Sequence, residues 1–211
     1  MAITLLKALQ SKLKQILPCP LCGLEHAQVH GVCDDCWNML PWAISPSIIR
    51  HQREIQVCFE YEFPIDRIIH LYKYEQQLHF QNFLSSFLTQ LKLMPFKAIV
   101  PMPISSERLS ERGYNQMMII AKILSKLLNV PVWQPVLRAA QHSQKGLSRL
   151  ERIENIDSQF KPIRAERRKY RNVLILDDVV TTGSSVHALA NALEKLGCDR
   201  IQIACIAAAH V

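Results

Sequence analysis

No stretch of this 211-residue chain approaches the roughly 18 uninterrupted apolar residues that a membrane-spanning helix needs, so stable insertion in a bilayer is not expected. The first 17 residues also lack the continuous apolar segment of a signal peptide, because Lys7, Gln10, Lys12, Lys14 and Gln15 interrupt them. A disulfide framework is missing as well. Four of the seven cysteines stand in two close pairs, and Cys58, Cys198 and Cys205 have neighbours typical of strands and helices. These absences point to a cytoplasmic protein. What is present, 49% hydrophobic and 20% charged residues, suits a globular chain with one sizeable core and a small appendage.

Apolar residues Ile3, Leu6, Leu9, Leu13, Ile16 and Leu17 recur at three- and four-residue steps, which predicts an amphipathic helix over residues 1–17 ending at Pro18. Its basic polar face would suit a membrane surface, but packing against the neighbouring domain is the commoner outcome. Cys19 and Cys22 then face Cys33 and Cys36 across ten intervening residues, with Gly23 and Gly31 beside them. Two such knuckles present four thiolates to one zinc ion, and a segment this short has too little core to fold without a staple. A pair of redox dithiols is the competing reading. The net charge of +7 would fall by about two with four zinc-bound thiolates, leaving a balance compatible with an anionic substrate or a nucleic acid.

We expect a zinc-binding module over residues 18–45, a linker over 46–54 marked by Ser45, Pro46 and Ser47, and a larger domain over 55–211. In that domain, residues 55–61 read as a strand, 64–72 and 78–91 as helices, and 96–100 as a buried strand broken by Pro101 and Pro103. Arg108 and Arg112, four apart and followed by Gly113, could offer two guanidinium forks to an oxyanion, with Asn115 capping the next helix. The competing reading is a solvated helical face with ordinary ion pairs. Residues 141–160 are polar and read as a flap carrying Lys145, Arg149 and Arg152, with an ordered surface excursion bearing ordinary charges as the competing reading. The densest basic run, Arg164, Arg167, Arg168, Lys169 and Arg171, is either a solvated face or a contact for single-stranded nucleic acid.

The chain is organised around residues 173–185. Val173, Leu174, Ile175 and Leu176 form a run suited to a parallel strand covered on both faces. Asp177 and Asp178 sit where that run ends. Val179 and Val180 lead to Thr181, Thr182, Gly183, Ser184 and Ser185, and a helix is expected from 185 to 196. Hydroxyls and free first-turn amides at a helix start make an anion site. Two acids beside it suit neutral hydroxyls such as those of a ribose, or a divalent metal. Helix capping alone would need one hydroxyl, so the stretch is over-specified for that role.

This stretch resembles, position by position, the phosphoribosyl-diphosphate (PRPP) motif of type I phosphoribosyltransferases. Three further patterns are similar to the ComF (GntX-like) family: Lys73-Tyr74, the run from Pro101 through Arg108, Arg112 and Gly113 to Gln116, and the run from Gln144 to Asn155. The resemblance implies an α/β, parallel-sheet type I phosphoribosyltransferase fold with a small N-terminal zinc-binding module. It further implies that Asp177 and Asp178 hold the ribose hydroxyls, that residues 181–185 hold the 5-phosphate, and that Lys73, Arg108 and Arg112 lie near the pyrophosphate. Lys145, Arg149 and Arg152 would belong to a loop that closes over the reacting centre, and magnesium would accompany PRPP. The implied setting is natural transformation, with single-stranded DNA and other DNA-uptake proteins as partners. One departure stands out: Thr181 occupies the position where purine-salvage members carry an acid as base. The acceptor is therefore open, and non-catalytic binding of PRPP, a nucleotide or single-stranded DNA is the alternative, with zinc-dependent redox sensing a weaker one.

Overall fold

The longest strands define the sheet, and their side chains explain its layers. The structure, a computed structural model, describes residues 18–28, 31–139, 159–163 and 165–210. The expected N-terminal helix, the flap residues Lys145, Arg149 and Arg152, and Arg164 lie outside the described residues. Strand β6 (Asn172–Val180) lies between β7 (Arg200–Ala208) and β3 (Ala98–Pro101), and β2 (Arg53–Glu60) flanks β7; all four are parallel. Strand β1 (Ser47–Arg50) closes one edge antiparallel to β2.

Because strand side chains alternate, β6 feeds two separate cores. Leu174 and Leu176 join a cluster with Ile68 of α2 (Ile65–Tyr74), Phe83 and Phe87 of α3 (Gln81–Leu88), and Ile120 of α5 (Gln116–Leu128). Val173 and Ile175 join the opposite cluster with Val186, Leu189 and Leu193 of α6 (Ser184–Lys195). A two-stranded ribbon, β4 (Val136–Arg138) paired antiparallel with β5 (Phe160–Pro162), lies against that second face, with Val136 and Phe160 in the same cluster. The layout agrees with the expected α/β parallel-sheet class.

Two local expectations change. Strand β6 runs four residues past Leu176, so Asp177 and Asp178 lie inside the strand. Pairing with β7 continues through Asp177 opposite Cys205 and Val180 opposite Ala208, which keeps the backbone extended. The stretch 46–54, expected as a linker, is a hairpin. Its strands pair from Ser47 opposite Gln56 to Arg50 opposite Arg53, and His51 and Gln52 turn with φ of 47° and 60°. Two successive left-handed residues suit a two-residue hairpin turn, and Pro46 is tolerated because it enters an edge strand. Non-glycine residues in the turn and a proline at its entrance hid the hairpin in the sequence.

The cysteine module shares the first core. Cys19, Val32, Cys33 and Leu40 belong to the same cluster as Phe59 and Phe87, and Trp37 stacks on Phe87 with centroids 5.1 Å apart. Backbone bonds from Ala43 N to Cys58 O (3.0 Å) and from Glu60 N to Pro41 O (2.9 Å) tie the segment to β2. Phe87 also meets Trp42, Phe59 and Phe83 edge-on. Phe87→Ala is therefore expected to lower the unfolding free energy by ~3–5 kcal/mol. Urea melts followed by tryptophan fluorescence should show module and sheet domain still unfolding in one transition; two resolved transitions would count against a shared core.

Candidate functional site

Alternation along β6 sends its two acids to opposite faces. Asp178, on the face of Leu176, is 6% exposed, and three groups hold its carboxylate beneath α2 and α5. Lys73 Nζ lies 2.6 Å from its Oδ1, Gln116 Nε2 donates to its Oδ2 at 2.8 Å, and Val179 N–H donates to Oδ1 at 2.7 Å. Gln116 in turn accepts from Arg112 at 3.2 Å, and the Arg112 guanidinium rests 4.6 Å above the Tyr74 ring. Tyr72 Oη donates to the Gln116 carbonyl at 3.1 Å, and Tyr114 Oη donates to the Tyr72 carbonyl. Lys73-Tyr74, far away in sequence, and the segment Arg112 to Gln116 thus meet on Asp178.

Local structure delivers these groups. Ser105 caps α4 (Ser106–Arg112), and Gly113 ends it with φ 76°, a conformation that glycine adopts without steric cost. Asn115 caps α5 by accepting from Met117 and Met118 N–H, while its own amide donates to the Met102 carbonyl at 3.0 Å. That bond fastens the helix start to the proline-bounded turn after β3. Arg108, one turn earlier on α4, is exposed and outside the Asp178 cluster.

Burial alone would lower the pKa of the Lys73 ammonium, but the charge and hydrogen bond of Asp178, with help from Asp177, more than offset it and the net shift is upward. Asp177 points to the α6 face and is only partly buried. Loss of water around its carboxyl, and then the charge of Asp178, push its pKa up to about 7, with Lys73 and Arg138 pulling the other way. Arg138 was not anticipated from sequence. It ends β4, stacks 5.6 Å over Phe160, and donates to Ser185 Oγ at 3.1 Å and Gln159 Oε1 at 3.4 Å. Burial lowers its guanidinium pKa, nearby Arg108 adds to the shift, and Asp177 opposes it. The short run around Arg138 carries no motif; only the ribbon brings it to the loop.

The loop after β6 presents hydroxyls at the start of α6. Gly183 takes φ 81° as the N-cap of α6 and has no side chain to cap the helix. Thr182 Oγ1 and Ser184 Oγ are 2.9 Å apart, and Thr181 and Thr182 are exposed. A Cβ on Gly183 would meet Arg50 Cβ at 2.6 Å, so the glycine is required by contact as well as by φ. A surface concavity of about 460 Å³ bordered by Arg53, Gln56, Lys92 and Gln202 includes none of these groups.

At the N-terminus, one sulfur from each of Cys19, Cys22, Cys33 and Cys36 lies within 4.8 Å of the others, a cluster able to hold a metal ion. Backbone N–H groups of Cys33 and Cys36 donate to Cys19 Sγ (3.3 Å) and Cys33 Sγ (3.4 Å), as suits thiolate acceptors.

The two acids should respond oppositely to amidation. The folded pKa of Asp177 lies above its ordinary 3.8, so the unfolded chain loses that proton first and stability from this group falls as pH rises from about 3.8 to about 7. Asp177→Asn should match wild type near the bottom of that window and exceed it in urea midpoint above it. Asp178→Asn strands a buried Lys73 charge and should cost ~3–5 kcal/mol near neutral pH. Equal effects of the two substitutions at every pH would contradict the geometry.

A phosphoribosyl transferase domain profile matches residues 118–211. Competence protein F of Haemophilus influenzae is 30% identical over 207 residues, covering 92% of this chain and 86% of that protein. Competence protein ComFC of Bacillus subtilis is 29% identical, over 89% of this chain and 77% of the relative. The DNA utilization protein YhgH of Escherichia coli is 30% identical, over 89% and 82%. Among solved structures, the glutamine PRPP amidotransferase of Bacillus subtilis is a distant likeness, 12% identical with a TM-score of 0.41 over 58% of this chain and 25% of that one, too weak to add to the assignment. No helix among the described residues is long and apolar enough to cross a membrane. With near-full-length similarity to competence proteins, a type I phosphoribosyltransferase domain and a four-cysteine cluster before it, the chain belongs to the ComF (GntX-like) family.

Proposed function

We propose that the chain binds PRPP and transfers its ribose 5-phosphate group to an acceptor with loss of pyrophosphate, in the handling of imported single-stranded DNA. The observation that carries this reading is the start of α6, whose N-cap Gly183 has no side chain, ringed by the hydroxyls of Thr181, Thr182, Ser184 and Ser185 and set two residues after Asp177 and Asp178. Helix amides and hydroxyls hold the 5-phosphate, and the acids take the ribose hydroxyls. Asp178 meets the sugar with Lys73 and Gln116 already in place, so its charge and orientation are set before the ligand arrives. Lys73 and Arg112 on one face, with Arg108 and Arg138 near the other, neutralise the diphosphate as the C1–O bond breaks. Lys145, Arg149 and Arg152 would add charge from the adjoining segment.

The ribosyl carbon becomes cationic as the diphosphate leaves with the bonding electrons, and the acceptor's lone pair forms the new bond while the acceptor loses a proton. Positioning and electrostatics carry the barrier reduction. The acids and the diphosphate together suit magnesium, which would supply charge neutralisation. The Thr181 side chain offers no base.

A second reading, binding of single-stranded DNA without turnover, is favoured by Arg167 and Lys169, which are exposed in the basic run; Arg168 is paired with Glu166 (2.8 Å) and Arg171 with Asp199 (3.2 Å). The relatives' competence and DNA-utilization names agree with a DNA setting. For the cysteine cluster we propose one structural zinc ion with no open coordination position.

Calorimetric titration of PRPP with magnesium should give saturable binding to wild type, weakened at least about tenfold when Asp177→Asn and Asp178→Asn are combined. Pyrophosphate release with a panel of acceptors separates transfer from binding. Turnover-free binding, with DNA affinity falling with salt and untouched by the double substitution, would favour the second reading. Elemental analysis should find one zinc per chain, and chelation should lower the urea midpoint of the whole chain because the module shares its core; a chain unaffected by chelation would refute a structural ion.

A further inference from the structure

The loop of residues 181–185 offers hydroxyls and amides but no positive charge, and the acids before it repel a phosphate. A phosphate monoester carries about −1.5 to −2 near neutral pH. The compensating charge must come from other elements. Arg138 reaches Ser185 from the β4–β5 ribbon. From the other flank, the β1–β2 turn lies directly on the loop: Arg50 Nε donates to the Thr181 carbonyl at 3.2 Å, and Arg50 Cβ packs where a Gly183 side chain would stand. His51 Nε2 is 3.4 Å from Ser184 Oγ.

We propose that Arg50 and His51 form an outer wall of the phosphate site and contribute directly to recognition of the terminal phosphate. The proposal rests on the reading of residues 181–185 as a phosphate cradle. Arg50 spends one guanidinium N–H on Thr181 and one on the Ile49 carbonyl at 3.1 Å, so three of its five donors remain for phosphate oxygens. The turn is also fastened to the helix that bears the cradle. The His51 ring stacks on His187 of α6 with centroids 4.9 Å apart, and Arg53 Nε donates to His187 Nδ1 at 3.3 Å. Arg53 is itself held by Asn191 at 2.7 Å and Glu194 at 2.9 Å. Wall and cradle are thereby positioned as one unit. The site therefore includes residues that directly follow the cysteine module and lie before the transferase profile, which begins at residue 118.

His51 adds a second polar contact to the wall. The groups facing it are Ser184 of the loop, His187 of α6 with Arg53 and Glu194 behind it, and Arg50 beside it in the turn. An N–H on Nε2 would place one more donor beside Ser184 for a phosphate oxygen.

Calorimetry with ribose 5-phosphate and with PRPP, on wild type, Arg50→Gln, Arg50→Lys and His51→Gln, tests this. Arg50→Gln should weaken both ligands about tenfold or more, as loss of a charge-assisted hydrogen bond does. Arg50→Lys keeps the stem that covers Gly183 and should recover part of the affinity. His51→Gln should weaken both ligands by a smaller factor than Arg50→Gln, because the imidazole offers one donor where the guanidinium keeps three. Unchanged affinity in Arg50→Gln and His51→Gln, with wild type binding ribose 5-phosphate normally, overturns the wall and leaves the cradle standing. Binding of ribose 5-phosphate that needs Arg50, without binding of PRPP, upholds the wall and overturns the transferase reading. Failure of wild type to bind either ligand overturns both.

Discussion

The twofold periodicity of β6 is the constraint on which the arrangement depends. Leu174 and Leu176 commit one face to α2, α3 and α5, and Val173 and Ile175 commit the other to α6. With both faces buried, a one-residue slip would exchange every side chain between two differently shaped cores. Asp177 and Asp178 inherit that register. One is held in a network with Lys73 and Gln116, and the other is left partly dehydrated near Arg138 with its pKa raised. Two adjacent carboxylates in one strand thus acquire different electrostatic characters from geometry alone.

Much of this was legible before any coordinates. The apolar run 173–176, the double acid and the hydroxyl-rich loop predict a strand, a site and a helix start, because their periodicity and turn chemistry are local. The four-cysteine spacing is equally local, and so is the Asn115 cap. What escaped depends on contacts between distant segments. β6 extends through its acids because β7 pairs beside them, a partnership that no local pattern encodes. The hairpin at residues 47–60 uses His51 and Gln52 where glycine or asparagine would have announced a turn. Arg138 and Arg50 reach the loop from two unrelated ribbons, and only the tertiary fold brings them there.

The module and the sheet domain are separable in sequence but not in packing. Trp37, Trp42, Phe59 and Phe87 form one aromatic cluster that spans the expected boundary. Such a cluster explains how so short a cysteine segment can be rigidly seated on the sheet domain. It also gives the β1–β2 turn a fixed origin: β1 starts two residues beyond Ser45, and Ile44 N–H donates to the Glu60 carboxylate at 3.0 Å. The module, the hairpin and the edge of the sheet form a continuous path to the loop after β6.

A pair of adjacent carboxylates, one buried and one partly dehydrated, is costly, and the cost bears on what the site can do. Asp178 escapes it by holding Lys73, whose ammonium shifts in the direction of a retained charge. Asp177 escapes only in part: the Asp178 N–H donates to its Oδ1 at 2.9 Å, but Lys73 and Arg138 are also engaged by other groups. A fold selected only for stability would have little use for that carboxylate, because an amide of the same shape would fill the space without the desolvation penalty. Its retention is intelligible if a ligand restores the lost hydration by presenting hydroxyls or a cation to it. The ribose of the proposed substrate does the first and its accompanying metal the second, so the least comfortable residue in the strand is the one whose position the proposed chemistry explains best.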